Sequence, residues 1–577
     1  MSSKLELTEK HSFKNEMLFR CKVAYFIFKK SIANVLHNVH QYKQESQLIH
    51  APVVAVSESD LWNASDNKYN WFLTAGKVEN LRVASRKIHG IEVPANEVFS
   101  FWKHIGKPSA AKGFVVGREI REGCVVPTIA GGLCQLSNAL YDAALKAGFE
   151  IIERHKHTRV IQGSLAEKDR DATVKWNYVD LRFKGPNAFR IEVEFTSEKF
   201  IVKFKSVREN TVVKSQEKQF ESSKINDCYS CGNTACFKHP GVIPERKVNV
   251  VTAYILDEKI PEIEEYLVEQ IKEEDIVLAP FSDKNIFKIP RYSRTLNAKV
   301  LTYPLLVFRR AFSVRRAAKA GRNIPSLMLS YDERIVKSLL HKIPVEVTHI
   351  VIAQNLLPFA FKYGLLWGRT FDVLTHRLPI KQLQNKLDEL KLRYPESSTA
   401  ADFRVKEEIV LAEQEAFNKA RKIITSHLAV VDIFKNKCVL LNWKFPIDSR
   451  PSKITGKKIL FPASALARKG AFEMKHVVTK LKLPIDVLGK AKEYKNFWES
   501  IEVHQVSNLH LSDYTLVVLP AYIEHQPRIL LRALSLGITV ITTKASGLPK
   551  HESLIFVEEG DVEDLERKIK LMLEING

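Results

Sequence analysis

A cysteine two positions after a pair of glycines is the clearest candidate nucleophile in the chain. Cys134 lies in AGGLCQLSNALYDAALKAG, whose apolar spacing predicts a helix that begins just after the glycines. The amide dipoles of a first helical turn would stabilise a Cys134 thiolate. His155 and His157 follow on a predicted strand, and we predict that His157 is the general base and that Asp171 orients its imidazole. The alternative is a small buried cysteine packed beneath the glycine turn.

A group of candidate metal ligands lies further along, in NDCYSCGNTACFKHPG. The ligands are Cys228, Cys231, Cys236 and His239, in the spacing C-x2-C-x4-C-x2-H. Three thiolates and one imidazole suit a structural, tetrahedral zinc ion, because four protein ligands leave no open position for substrate. An iron–sulfur cluster is the alternative metal centre, with Cys21, Cys124 or His239 as its fourth ligand. A reduced surface loop or a local disulfide is the alternative without metal.

Cationic and small residues follow predicted strands near the C-terminus. Arg468 and Lys469 come after KILFPAS and precede a helix, so they offer positive charge and a helix N-terminus to a diphosphate. Glu524 also lies between a predicted strand and a helix. Ser546 and Gly547 form a small-residue loop that would admit a base or a sugar. Because parallel α/β folds bind ligands at the carboxyl ends of their strands, the pattern predicts a nucleotide-binding cleft.

Two basic segments bear on contact with an anionic surface. The first predicted helix, residues 23–39, is basic and amphipathic, and we expect it to pack on its own protein rather than on a membrane. Residues 298–330 carry seven Lys or Arg and no acid, interleaved with Phe308 and Phe312. Such a segment suits an anionic membrane or a lipid-linked, phosphate-bearing acceptor, with a solvated helix face as the alternative. No nucleic-acid recognition motif accompanies the charge, so we expect no specific nucleic-acid binding.

The composition supports a large, basic, globular protein. The 577 residues include 88 Lys and Arg against 66 Asp and Glu, a formal charge of +22, which favours an anionic partner such as a nucleotide or an acidic glycan. The 45% of hydrophobic residues excludes wholesale disorder. Seven cysteines are too few for a secreted disulfide scaffold. Because we see neither a signal-peptide pattern nor an apolar run of about 18 residues, we expect a cytoplasmic protein, or one peripheral to the inner face of the membrane.

Changes in pattern along the chain predict five regions. Short strands with turn signals predict an α+β domain in the first half, whereas β-branched runs that alternate with helices predict parallel α/β sheets in the second. The regions are an N-terminal helical region (1–75), the α+β domain (76–223), the cysteine-rich metal-binding loop (224–244) and two α/β domains (245–450 and 451–577). The predicted nucleotide cleft lies between the two α/β domains.

The α+β domain resembles a known family. The runs PANEVFSFWKHIG, AGGLCQLSNALYDAALKAGFEIIERHKHTRV and DATVKWNYVDLRFKG resemble the VanW-like family of vancomycin-resistance-associated and cell-wall proteins, over roughly residues 76–206. The resemblance implies L,D-transpeptidase-like acyl transfer on peptidoglycan stem peptides through the cysteine of its Gly-Gly-x-Cys-Gln motif. That cysteine matches Cys134 and the glutamine matches Gln135, which we assign with His155 to substrate binding.

The C-terminal half resembles GT-B-type, retaining glycosyltransferases that use nucleotide sugars. The resemblance rests on a strand followed by Arg-Lys-Gly, a strand followed by Pro-x-x-x-Glu, and the motifs Leu-x-x-Ala-Leu-x-x-Gly and Thr-x-x-Ser-Gly-Leu. It implies that Arg468 and Lys469 bind the donor diphosphate and that Glu524 contacts the sugar. The family's second, ribose-binding Glu falls at Arg532, and its Gly-Phe-Gly stretch reads His-Gln-Pro here.

The sequence therefore predicts an α+β VanW-like domain followed by a GT-B-like pair of Rossmann-type α/β domains. We expect a glycosyltransferase that moves a sugar from a nucleotide sugar to a cell-wall or lipid-linked acceptor, with a fused module that recognises or modifies a peptidoglycan precursor or another envelope glycan. The first alternative is cysteine-dependent acyl transfer on stem peptides through Cys134. The second alternative is a binding scaffold without catalysis.

The cysteine-rich loop predicts that the purified chain retains metal. Protein prepared without added metal should contain about one equivalent of zinc, or iron with sulfide if a cluster forms, when measured by ICP-MS. Cys231→Ser should lower the metal content because it removes a thiolate ligand, while Cys438→Ser, outside the motif, should leave it unchanged. A chain with neither zinc nor iron near stoichiometry would contradict the prediction.

Overall fold

The computed structural model describes most of the chain as two compact units. The described residues are 13–36, 39–62, 68–121, 124–157, 165–207, 251–280, 298–320, 324–446 and 458–576. The first unit comprises Met1–Val251, His341–Thr348 and Leu366–Thr370, and the second comprises Thr252–Leu340, His349–Leu365 and Phe371–Gly577. Within the described ranges, no helix is long and apolar enough to cross a bilayer.

The first unit is an α+β domain with antiparallel sheets. Its helices are α1 (Phe13–Leu36), α2 (Lys68–Ile88), α3 (Phe101–Ile105) and α4 (Leu133–Lys146). Its strands are β1 (Val53–Asp60), β2 (Ile91–Val93), β3 (Val98–Ser100), β4 (Val116–Arg121), β5 (Cys124–Ile129), β6 (Glu150–Glu153), β7 (Arg182–Lys184), β8 (Phe189–Phe195) and β9 (Lys199–Ser206). They form a sheet in the order β1-β9-β8-β2, a second sheet β3-β7-β6 and the hairpin β4-β5.

Local sequence patterns explain the elements nearest the candidate cysteine. In β8, Ile191 and Val193 are buried, in agreement with the predicted alternation of apolar and polar residues. In α4, Leu136 and Leu140 are fully buried on one helical face. The helix ends just before Gly148, whose φ of 66° is in the left-handed region that favours glycine. The predicted helix is thus present within one residue of its expected bounds.

The region predicted to be helical at the N-terminus also contains a strand. β1 pairs antiparallel with β9, from Val53 opposite Lys205 to Asp60 opposite Lys199. The helix α2 also crosses residue 76, where we placed the domain boundary. α1 contacts the first unit, since Phe26 stacks on Tyr178 and Oγ of Ser31 accepts Nδ2–H of Asn177 at 2.7 Å. Large apolar side chains of α1 nevertheless remain in solvent, with Phe28 65% exposed.

The second unit begins with a seven-stranded parallel sheet. Its strands are β10 (Val251–Ile255), β11 (Ile276–Ala279), β12 (Lys299–Thr302), β13 (Val347–Ala353), β14 (Thr370–Leu374), β15 (Lys422–Thr425) and β16 (Cys438–Leu440). Its helices are α5 (Pro261–Gln270), α6 (Pro304–Lys319), α7 (Ile324–Leu339), α8 (Leu357–Lys362), α9 (Ile380–Arg393), α10 (Glu407–Lys419) and α11 (Leu428–Phe434). The strand order is β12-β11-β10-β13-β14-β15-β16, so the order reverses at β10.

A second parallel sheet of six strands completes the second unit. Its strands are β17 (Lys458–Phe461), β18 (Ile485–Val487), β19 (Val503–Gln505), β20 (Tyr514–Leu519), β21 (Thr539–Thr542) and β22 (Leu554–Phe556), with helices α12 (Ala471–Leu481), α13 (Arg528–Ser535) and α14 (Val562–Asn576). The order β19-β18-β17-β20-β21-β22 reverses at β17. Ligands of such sheets bind at this switch point, beyond the carboxyl ends of the strands. The predicted α+β domain followed by two Rossmann-type sheets is confirmed.

A buried carboxylate joins segments of the first unit that are distant in sequence. The Oε2 atom of Glu79 lies 2.8 Å from Nη1 of Arg82 and 3.5 Å from Nη2 of Arg369. Arg82 also donates to the carbonyl oxygens of Trp367 and Gly368. Burial raises the pKa of Glu79, but the arginines outweigh burial and lower it. The ionised Glu79 therefore compensates the buried guanidinium groups of Arg82 and Arg369, and Nη1 of Arg86 lies further away, 3.9 Å from Oε1.

Loss of this carboxylate should destabilise the first unit. Glu79→Ala leaves Arg82 and Arg369 buried without their counter-charge, which costs about 3–5 kcal/mol in the free energy of unfolding. Glu58→Ala is the matched control, because Glu58 is 49% exposed in its pair with Lys199 and an exposed pair contributes about 1 kcal/mol or less. Urea denaturation of both variants measures the difference. Equal losses in the two variants would overturn the prediction.

Candidate functional site

A close contact between two backbones holds the turn that precedes α4. Gly132 caps the helix with a φ of 98°. A Cβ on Gly131 would lie 2.3 Å from the carbonyl oxygen of Gly117 on β4, so only glycine fits there. Asn80 of α2 fixes the turn by donating from Nδ2 to the carbonyl oxygen of Gly131 at 3.0 Å. Together these contacts set the position of Cys134 in the first turn of α4.

The structure brings Cys134, His157 and Asp171 together. Nδ1 of His157 lies 2.5 Å from Oδ1 of Asp171, and the backbone N–H of His157 donates to Oδ2 at 2.5 Å. The Asp171 side chain is only 3% exposed. Burial lowers the pKa of His157, but hydrogen bonds with Asp171 and Cys134 outweigh burial and raise it to about 10. At neutral pH, His157 is thus an imidazolium beside the sulfur, which favours a thiolate nucleophile.

The loop that carries the triad aspartate is fixed to α4 by side chains absent from the sequence-based prediction. Oδ1 of Asn138 accepts the backbone N–H of Ala172 at 2.7 Å, and Oγ of Ser137 donates to the carbonyl oxygen of Ala172 at 2.5 Å. Oγ1 of Thr173 lies 3.7 Å from Sγ of Cys134. The sequence could have identified Ser137 and Asn138 by their spacing, because residues three and four positions after Cys134 lie on the same side of the helix.

Gln135 and His155, which we assigned to substrate binding, contact other partners. Nε2 of Gln135 donates to Oγ of Ser59 at 2.9 Å and to the carbonyl oxygen of Asp60 at 2.8 Å. His155 has a side chain that is 46% exposed, with Nε2 3.2 Å from a carboxylate oxygen of Glu153. Gln135 therefore ties α4 to the end of β1, and a substrate role for either residue stays a prediction.

In the second unit, the predicted donor-binding residues lie beyond the carboxyl end of β17. Nζ of Lys469 is 2.9 Å from Oε2 of Glu524 and 3.1 Å from the carbonyl oxygen of Ile523. Gly470 caps α12 with a φ of 74°, and a Cβ there would lie 2.1 Å from the carbonyl oxygen of Pro520. Glycine thus allows the N-terminus of α12 to lie against the end of β20.

Arg468 lies among carboxylates. Burial lowers the pKa of its guanidinium, and the nearby Asp402, Glu493 and Glu524 oppose that effect. Glu493 is itself 5% exposed and accepts the backbone N–H of Ala467 at 2.7 Å. The two cations predicted to bind a diphosphate are therefore balanced by acidic side chains in this structure.

Two buried histidines from the seven-stranded sheet lie at the same strand ends and were absent from the sequence-based prediction. His376 follows β14 and His427 follows β15. Nε2 of His427 is 2.7 Å from the carbonyl oxygen of Glu524, and Nε2 of His376 is 3.1 Å from Nε2 of Gln526. Burial lowers the pKa of both histidines, so both imidazoles are neutral at neutral pH. The feature of the sequence that could have identified these histidines was their position directly after a predicted strand.

The predicted small-residue loop packs beside one of these histidines. Ser546 is buried, and its Oγ donates to the carbonyl oxygen of Thr543 at 2.8 Å. The carbonyl oxygen of Gly547 accepts Nε1–H of Trp443 at 3.0 Å. Gly547 has a φ of 63°, and a Cβ there would lie 2.3 Å from Nδ1 of His427. The polar groups of this loop are thus engaged by the protein, and binding of a base or sugar stays a prediction.

The helix that follows Glu524 carries two arginines, one of them at the position where the glycosyltransferase resemblance implies a carboxylate. Arg532, at the position of the ribose-binding Glu, lies on α13. In the first turn of α13, Arg528 donates two hydrogen bonds of 2.7 Å to the two carboxylate oxygens of Glu262 on α5. The side chain of Glu262 is fully buried. This bidentate ion pair ties α13 to the seven-stranded sheet.

The predicted metal ligands fall outside the part of the chain that the structure describes. These residues are Cys228, Cys231, Cys236 and His239. Among the described residues, no group of three or more His, Cys, Asp or Glu side chains is arranged to hold a metal ion. Zinc or an iron–sulfur cluster at the cysteine loop therefore stays a prediction.

Comparison with known proteins identifies the domain around Cys134. Residues 76–205 match the family model described as VanW like protein. The uncharacterized protein YoaR of Bacillus subtilis is 34% identical over 106 residues, which cover 18% of this chain and 34% of that protein. The vancomycin B-type resistance protein VanW of Enterococcus faecalis is 29% identical over 132 residues, 22% of this chain and 47% of that protein. The VanW-like domain thus spans about a third to a half of these curated relatives.

A solved glycosyltransferase aligns with a larger part of the chain. WaaG, a glycosyltransferase involved in lipopolysaccharide biosynthesis, is 14% identical, with a TM-score of 0.34 over 56% of this chain and 90% of that chain. The similarity concerns the fold, which the two parallel sheets of the second unit already define.

The triad geometry predicts that the VanW-like domain holds an unusually reactive thiol. At pH 7, iodoacetamide should alkylate Cys134 faster than the exposed Cys21, because the imidazolium of His157, whose pKa is raised to about 10, supplies a counter-charge to the sulfur. His157→Gln should slow this alkylation by roughly 10-fold or more at neutral pH, since the thiolate loses its counter-charge. Peptide mass spectrometry measures the rate at each cysteine.

The exposed His155 and Cys21 provide the controls for this measurement. His155→Gln should leave alkylation of Cys134 unchanged, and the rate at Cys21 should be the same in all variants. An equal rate at Cys134 in the wild-type chain and in His157→Gln would show that the imidazolium does not activate the thiol.

Proposed function

We propose that the second unit is a glycosyltransferase that moves a sugar from a nucleotide sugar to a cell-wall or lipid-linked acceptor. The observation that carries the proposal is the convergence of Lys469, Glu524 and the neutral His427 at the carboxyl ends of β17, β20 and β15. Strand ends beside a helix N-terminus are where α/β folds bind phosphate-bearing ligands. In this proposal the VanW-like domain recognises or modifies a peptidoglycan precursor or related envelope glycan.

The donor diphosphate would bind at the N-terminus of α12. Arg468 and Lys469 supply positive charge there, and the first-turn amides of α12 supply further donors. These charges would stabilise the diphosphate as its bond to the anomeric carbon breaks. The ion pair of Lys469 with Glu524 would exchange for a contact with a phosphate oxygen, which leaves Glu524 able to accept hydrogen bonds from sugar hydroxyls.

The reacting hydroxyl of the acceptor would lie at a small cavity beyond the carboxyl ends of the seven-stranded sheet, which has room for about one water-sized group. Its polar lining includes Glu258, Asn355, His376 and Arg377. The buried, neutral His376 is able to accept a hydrogen bond from an acceptor hydroxyl, whose oxygen forms the new bond to the anomeric carbon. The cation of Arg377 suits an acceptor that carries phosphate, as a lipid-linked glycan does.

Binding of a nucleotide sugar should stabilise the folded chain. A donor at about 100 times its Kd adds roughly 2.7 kcal/mol to the free energy of unfolding if it binds only the native state. In thermal-shift titrations with UDP-, GDP-, TDP- and CMP-sugars, we expect one nucleotide class to raise the unfolding temperature. Lys469→Ala should abolish this rise because it removes the cation at the start of α12.

A second lysine of the same region provides a matched control. Lys482 is exposed directly after the other end of α12, so Lys482→Ala removes the same charge away from the strand ends and should retain the thermal shift. If no nucleotide sugar stabilises the wild-type chain, or if both variants respond alike, the donor site is not where we propose.

A second activity is favoured by the triad of the VanW-like domain, namely acyl transfer on peptidoglycan stem peptides. The Cys134 thiolate would attack the carbonyl carbon of a peptide bond, and the imidazolium of His157 would give its proton to the departing amine. The resulting thioester would be attacked by an acceptor amine, which forms the new amide, returns a proton to His157 and restores the thiolate. Asp171 would keep the imidazole oriented throughout.

Acyl transfer should require the thiol and the imidazole together. Incubation of the full chain with a purified tetrapeptide muropeptide should yield a cross-linked dimer, detected by mass spectrometry. Cys134→Ser and His157→Gln should each reduce the rate by at least about 1,000-fold, because the triad acts as a unit. His155→Gln should retain activity, and Cys134→Ser should leave the response to nucleotide sugars unchanged. Equal product from the wild-type chain and Cys134→Ser would exclude this activity.

A further inference from the structure

The outer face of α6 combines apolar and cationic side chains. Leu305, Phe308 and Phe312 are 74%, 38% and 69% exposed. Exposed cations accompany them at Arg309, Arg315, Arg316 and Lys319. At 3.6 residues per turn, all seven positions fall within an arc of about 120°. The segment 299–320 contains no Asp or Glu, so this face of α6 is both strongly basic and apolar.

The inner face of α6 is anchored, which fixes the direction of the outer face. Val307 and Ala317 are buried against the protein. Arg310 donates to both carboxylate oxygens of Asp257, at 2.8 and 2.9 Å, and to Asp332 at 3.1 Å. Arg310 is thus paired with carboxylates inside the protein, whereas the other cations of α6 are exposed at the surface.

The chemistry of the outer face identifies its partner. An anionic phosphate surface satisfies the four cations, but a nucleic acid or an acidic protein surface gives no hydrocarbon environment to Leu305 and Phe312. The boundary between lipid headgroups and acyl chains satisfies both kinds of group. We propose that α6 docks the chain on the surface of an anionic lipid bilayer, with the helix parallel to the membrane plane. The proposal rests on α6 alone and does not depend on either proposed reaction.

Vesicle co-sedimentation of the full chain tests the proposal. The chain should bind vesicles of phosphatidylcholine with about 30% phosphatidylglycerol and not vesicles of phosphatidylcholine alone, and high salt should weaken binding. Replacing Arg309, Arg315 and Arg316 together with Ala should lower the partition coefficient on the order of 100-fold. Leu305→Ser with Phe312→Ser should also lower it roughly 10-fold or more, because apolar insertion contributes to interfacial binding.

A matched triple variant separates local docking from net charge. Lys437, Lys482 and Lys544 are exposed lysines elsewhere in the second unit, and their joint replacement by Ala should leave binding unchanged. Thermal unfolding of each variant verifies that the fold is retained. The proposal is overturned if the wild-type chain does not bind anionic vesicles, or if the arginine variant binds them as strongly as the lysine variant does. Full binding by the serine variant would also overturn it, because the apolar side chains would then contribute nothing. Preferential binding of duplex DNA over anionic vesicles would overturn it equally.

Discussion

Both candidate sites depend on an approach of two backbones that only glycine permits. In the VanW-like domain, Gly131 lies so close to Gly117 that a Cβ would come within 2.3 Å of its carbonyl oxygen, and Gly470 stands in the same relation to Pro520 at 2.1 Å. Each contact immediately precedes a helix, α4 or α12. A methyl group at either position would force the backbone to move and would displace the helix N-terminus. The positions of the Cys134 sulfur and of the N-terminus of α12 therefore both depend on the absence of a side chain.

The two candidate sites hold histidine in opposite charge states, and the difference follows from what surrounds each ring. The buried carboxylate of Asp171 accepts Nδ1–H of His157 and raises its pKa to about 10, despite the cost of burial. At His376 burial lowers the pKa and the nearby Arg377 adds to the effect, whereas at His427 burial lowers the pKa although Glu524 opposes it. A protonated ring suits the activation of a thiolate and the release of an amine, whereas neutral rings suit hydrogen bonding to hydroxyl groups.

Local signals were sufficient for some elements and insufficient for others. Glycines, apolar periodicity and strand alternation predicted α4 and β8, and the sequence analysis named His157 and Asp171, which the structure brings to Cys134. The pairing of β1 with β9 joins segments separated by more than a hundred residues and leaves no local trace in either strand. In α6, the sequence does not distinguish Arg310 from Arg309, because the carboxylates that bind Arg310 come from Asp257 and Asp332 on other elements. His376 and His427 were not predicted either, because only the parallel pairing of the strands brings the ends of β14 and β15 together.

The departure from the glycosyltransferase motif at α13 has a structural counterpart. Pro527 precedes the helix and removes one backbone donor from its N-terminus. Arg528 in the first turn is committed to the buried Glu262 of α5, so this end of α13 holds the seven-stranded sheet. This helix end therefore has fewer free hydrogen-bonding and charged groups for a ribose or a phosphate than the family motif would provide. In the proposed glycosyltransferase, donor binding would then depend more on the start of α12, where Arg468 and Lys469 lie beside acidic side chains. Lys469 is therefore the more sensitive position to test.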